Sequence, residues 1–413
     1  MFPHKSRVSS PLSRAALVVA VLATPLTGFS TAAHGAGVLE PVVVTFTDEV
    51  QIGGATVPST LRVQGGNEFN GVQLRLKQVG DAVVIRPIDD ATEVVMSTGT
   101  DTSTHCSPYG TDEQSVSCAV LPDSNIWVKT GAAADEVQLY DLTLDGKATI
   151  ELGGASDYLD MHEITMDSTV YGGTGDDYLR GGFGDDTFVA QTGPDGADAR
   201  DGRLGNDTVS YAGRLTNVTV DLNNEFPNAE GDTNKNVENA IGGYGNDLLI
   251  GANYFDVGVS APSPNNILSG GPGNDTLQGG DIVAGSDPDD DGRDTFWGGP
   301  GTDLVTYVHR STPLTVDVDN APDDGAPGEG DNVHSDVENI TGGSGDDRLT
   351  GRASIANRLQ GGAGTDVLDG VDGDGVDNLQ GGSQPTGTKD VCRVDAPGDT
   401  ADSQCETLIR VYS

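Results

Sequence analysis

An all-β solenoid is the fold this sequence predicts, and three observations predict it. A nine-residue unit with glycines and an aspartate at fixed phase recurs through about residues 150 to 391, and self-similarity of that period marks stacked repeats. Upstream, residues 38 to about 150 read as short strands separated by Gly, Pro and Asp turns. Helical periodicity is weak throughout. Composition agrees, since 413 residues carry 59 Gly, 5% aromatics and a 35% hydrophobic share, too little for one large core. Something besides apolar burial must hold the fold. The 64 acidic against 22 basic residues, a formal charge of -42, exclude a nucleic-acid binder, because such a chain repels phosphate. They also argue against docking on anionic lipid.

Residues 1–36 read as a secretory signal peptide: Lys5, Arg7 and Arg14 make a basic start, Ala15 to Leu26 an apolar run, and Ala33, Gly35 and Ala36 a small-residue cleavage region. A membrane anchor is the alternative, but the run is short for a bilayer and is followed by Gly28. No later stretch could span a membrane, so a soluble protein outside the cytoplasm is expected.

Residues 37–150 form the β-rich N-terminal region, with VVVTFT, LRVQ, VQLRLKQ, AVVIRP, IWVKT and VQLYDLTL as strands. TGAAADEV and GGASDYLD look like decayed repeats in which Asp135 and Asp157 keep the phase of the aspartate. Four cysteines fall as two close pairs, Cys106 with Cys118 and Cys392 with Cys405, whose local spacing favours two disulfides in an oxidising compartment. A metal-thiolate site is the alternative, with His105 as its one nearby hint.

Residues 151–391 hold the repeats. GGxGxD occurs strictly at Gly172, Gly181, Gly242, Gly270, Gly298, Gly342 and Gly361, and an apolar residue follows each aspartate by two positions. Degenerate copies keep Asp198, Asp207, Asp294 and Asp377; in the first, Arg200 stands where an apolar residue belongs. The glycines, such as Gly173, Gly175, Gly182 and Gly184, let the backbone turn carbonyl oxygens toward a common centre. The aspartate at position six adds a carboxylate, and hard oxygens from stacked turns suit calcium. The candidate metal ligands are therefore Asp177, Asp186, Asp198, Asp207, Asp247, Asp275, Asp294, Asp303, Asp347, Asp366 and Asp377. Position eight should point inward, with seven and nine facing water.

On these residues the chain resembles the RTX, or haemolysin-type, calcium-binding nonapeptide repeat family. The resemblance implies a right-handed parallel β-roll in which each nonapeptide contributes a turn and a short strand, with calcium ions, Ca2+, at multiple sites between neighbouring turns. The family's common bacterial pattern has a C-terminal secretion signal, so the N-terminal one here implies a different exporter.

A longer period overlies the nonapeptides. The stretch from Asn206 resembles that from Thr302, pairing Tyr211 with Tyr307 and Arg214 with Arg310, and the offset grows from 96 to 100 residues by loop lengthening. TVDL and TVDV should be strands. The acidic loops EGD at Glu230 and Glu329 are expected to project, either as solvated loops or as binding sites through Asp232 and Asp331. Asp287, Asp289 and Asp291 resemble half an EF-hand loop, but Gly298 stands where its bidentate glutamate belongs. Residues 392–413 are expected to form a small disulfide-bearing C-terminal cap, since open solenoid ends expose strand edges.

Catalytic signatures are weak. His162-Glu163 opens like HExxH, but Met166 replaces the second histidine, and no GxSxG elbow or phosphate-binding loop occurs. The sequence points to a secreted calcium-binding repeat protein that folds on Ca2+ outside the cell, with a structural, adhesive or surface-associated role and a cell-surface or polysaccharide partner. The rival is an RTX-bearing extracellular hydrolase or polysaccharide-active enzyme, which an aromatic cleft with two convergent carboxylates would favour.

Overall fold

A computed structural model describes residues 42–411 apart from 48–49, 53–54, 66–72, 89–93, 97–104, 111–114, 163, 225–227, 254–264, 281–291, 372, 374–375 and 396–397. Residues 1–36, read above as a signal peptide, and the triad Asp287, Asp289 and Asp291 lie outside the described residues. The protein is all-β, with strands arranged in sheets of twelve, nine, eight, five and two strands. Among the described residues no helix is long and apolar enough to cross a membrane.

Most repeat strands are three residues long because each must fit between the aspartate that closes one turn and the glycine that opens the next. The middle residue is buried, as at Leu179, Val209, Leu249, Leu277, Val305 and Leu349. Parallel pairing stacks these residues in register, Leu249 on Leu277, Leu277 on Val305, Val305 on Ile340, Ile340 on Leu359 and Leu359 on Leu379. A one-residue slip would turn every one of them to solvent, so the thin core sets the register. Position nine departs from expectation: Ser210, Ile250, Gln278 and Thr306 are buried. The strand ends there, and its last side chain folds against the connection that follows, as in the bond from Gln278 Nε2 to Gly280 O at 2.8 Å.

Successive strands alternate between two sheets. Tyr178–Arg180 and Ala199–Asp201 belong to the nine-stranded sheet, while Asp186–Val189 and Thr208–Ser210 belong to the twelve-stranded one. The long duplication shifts this alternation. TVDL supplies Thr219–Asp221, the first strand of the eight-stranded sheet, and Thr233–Lys235 then ends the nine-stranded sheet. TVDV repeats the move about a hundred residues on: Thr315–Asp317 begins the five-stranded sheet and Asn332–Val333 ends the twelve-stranded one.

The sheets are mixed, where the repeats alone predict parallel pairing. The N-terminal strands pair antiparallel, Val42–Thr47 with Thr60–Gln64, and Ala82–Pro87 with both Gln73–Val79 and Val116–Ala119. Thr60–Gln64 and Gln73–Val79 also pair parallel with Asn125–Lys129 and Glu136–Tyr140. These hairpins cover edges that the first parallel strands would otherwise expose. Pairing is continuous across residue 150, inside the strand Ala148–Gly154.

Both expected disulfides form. Cys106 and Cys118 lie directly opposite on antiparallel strands, and Cys392 joins Cys405. That removes the metal-thiolate alternative. His105 instead stacks on Phe46. Beyond Cys392, Thr400–Ala401 and Thr407–Arg410 extend the eight- and five-stranded sheets.

Candidate metal centre

At the foot of each repeat strand the aspartate at position six is buried and bonded to the coil before it. The backbone N–H of Asp135 donates to Oδ1 of Asp157 at 2.7 Å, Asp157 to Asp177 at 2.9 Å, Asp177 to Asp198 at 3.1 Å and Asp198 to Asp232 at 2.8 Å. The row beside the eight-stranded sheet runs from Asp247 to Asp275 at 2.7 Å, from Asp275 to Asp303 at 2.8 Å, and from Asp303 to Glu338 at 2.8 Å. Asp347, Asp366 and Asp390 form a further row. Each carboxylate thus holds the N–H of its counterpart one coil earlier, and the rows bring the repeats together as stacked turns.

Several of these aspartates leave the second carboxylate oxygen without a donor. Oδ2 of Asp157, Asp177, Asp207, Asp275, Asp303 and Asp366 is buried with no hydrogen-bond donor in reach. The glycines explain how carbonyls approach so closely. A Cβ on Gly361 would overlap Oδ2 of Asp366 and stand 2.5 Å from the Gly381 carbonyl oxygen of the next coil. Its neighbour Gly362 has φ +103, a conformation L side chains rarely adopt, and packs over the Gly343 carbonyl.

Burial pushes these carboxyls upward. Desolvation takes Asp157 and Asp207 to about 8, Asp303 and Asp366 to about 7, and Asp177 and Asp275 to about 6, and neighbouring carboxylates add to the rise in each. Desolvation likewise raises Asp186 and Asp347 to about 6, Asp198 to about 7, and Asp247. Clustered anions away from water require an opposing charge. The donor set, ionised carboxylates with backbone carbonyls, fits a hard cation of calcium's kind.

All eleven sequence-derived aspartates are buried. They do not share one environment. Asp186, Asp247 and Asp347 have both oxygens hydrogen-bonded, Oδ2 accepting from Gly182, Gly243 and Gly343. Gly173 and Gly175 have positive φ, whereas Gly182 and Gly184 do not. Arg200, read as decay of the repeat, is buried in an ion-pair network: its guanidinium donates to Asp198 at 2.6 Å, to Asp232 at 2.9 Å and to the Tyr211 hydroxyl at 3.0 Å.

The acidic loops do not simply project. Asp232 and Asp331 are buried in the rows, accepting from Asp198 and Asp294 at 2.8 Å, and the hydroxyls of Tyr211 and Tyr307 donate to their second oxygens. Arg214 and Arg310 clasp Glu230 and Glu329. Glu238 and Glu338 were missed as row members; the recurring VEN just ahead of a strand was the available signal. His162 lies in a turn, its Nδ1 3.0 Å from Arg203 and its ring edge-on to Tyr140.

Stacked glycine turns that present buried carboxylates at a constant phase define a calcium-binding repeat protein. A family profile described as the RTX calcium-binding nonapeptide repeat (4 copies) matches residues 166–197, 265–285, 289–306, 335–354 and 356–377. The chain therefore carries RTX repeats, and the described residues of the five segments fall within the stacked region. A search of curated proteins finds no match.

Proposed function

We propose that this chain is exported through residues 1–36 and folds on Ca2+ outside the cell, as a right-handed parallel β-roll with a structural, adhesive or surface-associated role. In this reading residues 37–150 cap one end, 151–391 form the calcium-binding roll, and 392–413 cap the other. The observation that carries it is the set of buried Oδ2 atoms without donors, at Asp157, Asp177, Asp207, Asp275, Asp303 and Asp366. Calcium held there by the carboxylates and glycine-turn carbonyls would supply the positive charge that these anions lack. The cytosol is calcium-poor and reducing, so the ion and both disulfides become available together after export. The acidic, repeat-built surface is offered to a cell-surface or polysaccharide ligand.

Calorimetric titration of the purified protein with CaCl2 tests the metal reading, and N-terminal sequencing of the exported protein tests the leader. Several calcium ions per chain and a start near residue 37 are expected. A flat titration, or a retained leader, contradicts the corresponding half.

A further inference from the structure

The chain builds its glycine turns in two conformations, and we propose that only one of them takes calcium. The inference rests on the calcium reading above and divides its sites.

In the first class the residue at position two has positive φ: Gly153 at +109, Gly173 at +108, Arg203 at +75, Gly271 at +94, Gly299 at +96 and Gly362 at +103. The aspartates of these six turns are Asp157, Asp177, Asp207, Asp275, Asp303 and Asp366. In each of these six the buried Oδ2 finds no donor. Positive φ swings the position-two N–H away from the carboxylate and leaves the oxygen facing carbonyls.

In the second class Gly182, Gly243 and Gly343 lack positive φ. Their N–H groups donate to Oδ2 of Asp186 at 2.8 Å, Asp247 at 2.6 Å and Asp347 at 2.8 Å. The same cap recurs at Asp135, Asp195 and Asp399, given by Gly131, Gln191 and Asp395. A cation cannot approach an oxygen along the line already taken by an amide hydrogen without breaking that bond.

What lies one coil below decides the class. The three capped strict repeats rest on turns that are not nonapeptides, Met161–Ile164, Tyr211–Arg214 and Tyr307–Arg310, each closed by its own backbone bond. The residue after the capped glycine donates to the last carbonyl of that turn: Phe183 to Ile164 at 2.7 Å, Tyr244 to Arg214 at 2.7 Å and Ser344 to Arg310 at 2.8 Å. Open turns rest on other repeat turns, as Gly271 does on the Gly243 carbonyl, Gly299 on Gly271 and Gly362 on Gly343. Each capped turn is a metal-independent platform, and the calcium-taking turns stack upon it.

The test is the calcium number of the full chain, measured calorimetrically for wild type and for single Asp→Asn variants. Asp275→Asn, Asp303→Asn and Asp366→Asn should each remove one calcium. Asp186→Asn, Asp247→Asn and Asp347→Asn should keep the wild-type number while lowering the melting temperature in saturating calcium, because a cap is lost. Three variants of each class are used so that one failing to fold leaves the comparison intact. Loss of calcium from the capped variants equal to that from the open ones overturns the inference. A wild-type chain that binds no calcium overturns the underlying reading instead.

Discussion

Oδ1 of Asp275 accepts the backbone N–H of Asp247, 28 residues earlier, at 2.7 Å. One side chain therefore serves as ladder acceptor with one oxygen and as candidate ligand with the other. Asp275→Ala strands a buried N–H, whereas Asp275→Asn keeps the acceptor and loses only charge. In saturating calcium, alanine should destabilise by about 1–3 kcal/mol more than asparagine, read from urea unfolding. Equal effects would remove the ladder bond from the account.

Gly361→Ala tests the close approach of successive coils. Its Cβ would press on Asp366 and on the Gly381 carbonyl, and relief requires the two coils to separate. A cost of about 1–3 kcal/mol is expected, with a higher calcium midpoint. An unchanged melting temperature would show that the gap is wider than the structure has it.

Arg200 carries its charge where other repeats carry leucine, valine or phenylalanine. Arg200→Leu restores the apolar phase but leaves the buried carboxylates of Asp198 and Asp232 without their ion-pair partner. Breaking such a pair from one side costs about 3–5 kcal/mol. Urea unfolding in saturating calcium should show that loss, and a neutral result would make the network dispensable.

The raised carboxyls set a pH dependence for the metal-free chain. Asp157 and Asp207 titrate near 8 and Asp303 and Asp366 near 7 when folded, above their unfolded range. Below those values the folded state binds more protons than the unfolded chain, so its stability rises as pH falls from 8 to 6. Circular dichroism in excess chelator should show more β-structure at pH 6 than at pH 8. The calcium-induced gain should be larger at pH 8, where the ligands are ionised. The opposite slope would mean that these groups are not buried together.

Local features of the repeat carried much of this fold in the sequence. Leu277 and Val305 announced their inward position because the nonapeptide fixes both phase and period, and Asp275 announced its turn for the same reason. Position nine did not follow, since a three-residue strand lacks the length for strict alternation to hold at its end. Asp232 and Asp331 were legible only as acidic loop residues, because their place in the rows depends on contacts with Asp198 and Asp294 over 30 residues away. The division between Asp247 and Asp275 was equally hidden: both follow the same motif, and what separates them is the turn beneath. Arg200 looked like an error in the repeat until its two carboxylates were placed beside it.

On the proposed function, calcium decides whether the stacked turns form. At about 0.4–1.4 kcal/mol per site in millimolar calcium, six open turns supply roughly 2–8 kcal/mol, comparable to the net stability of a domain. Far-ultraviolet circular dichroism of the purified protein, followed from excess chelator into millimolar CaCl2, measures this directly. A largely unordered spectrum in chelator and a cooperative rise of β-signal with calcium are expected; full β-signal already present in chelator at pH 8 would contradict a calcium-driven fold.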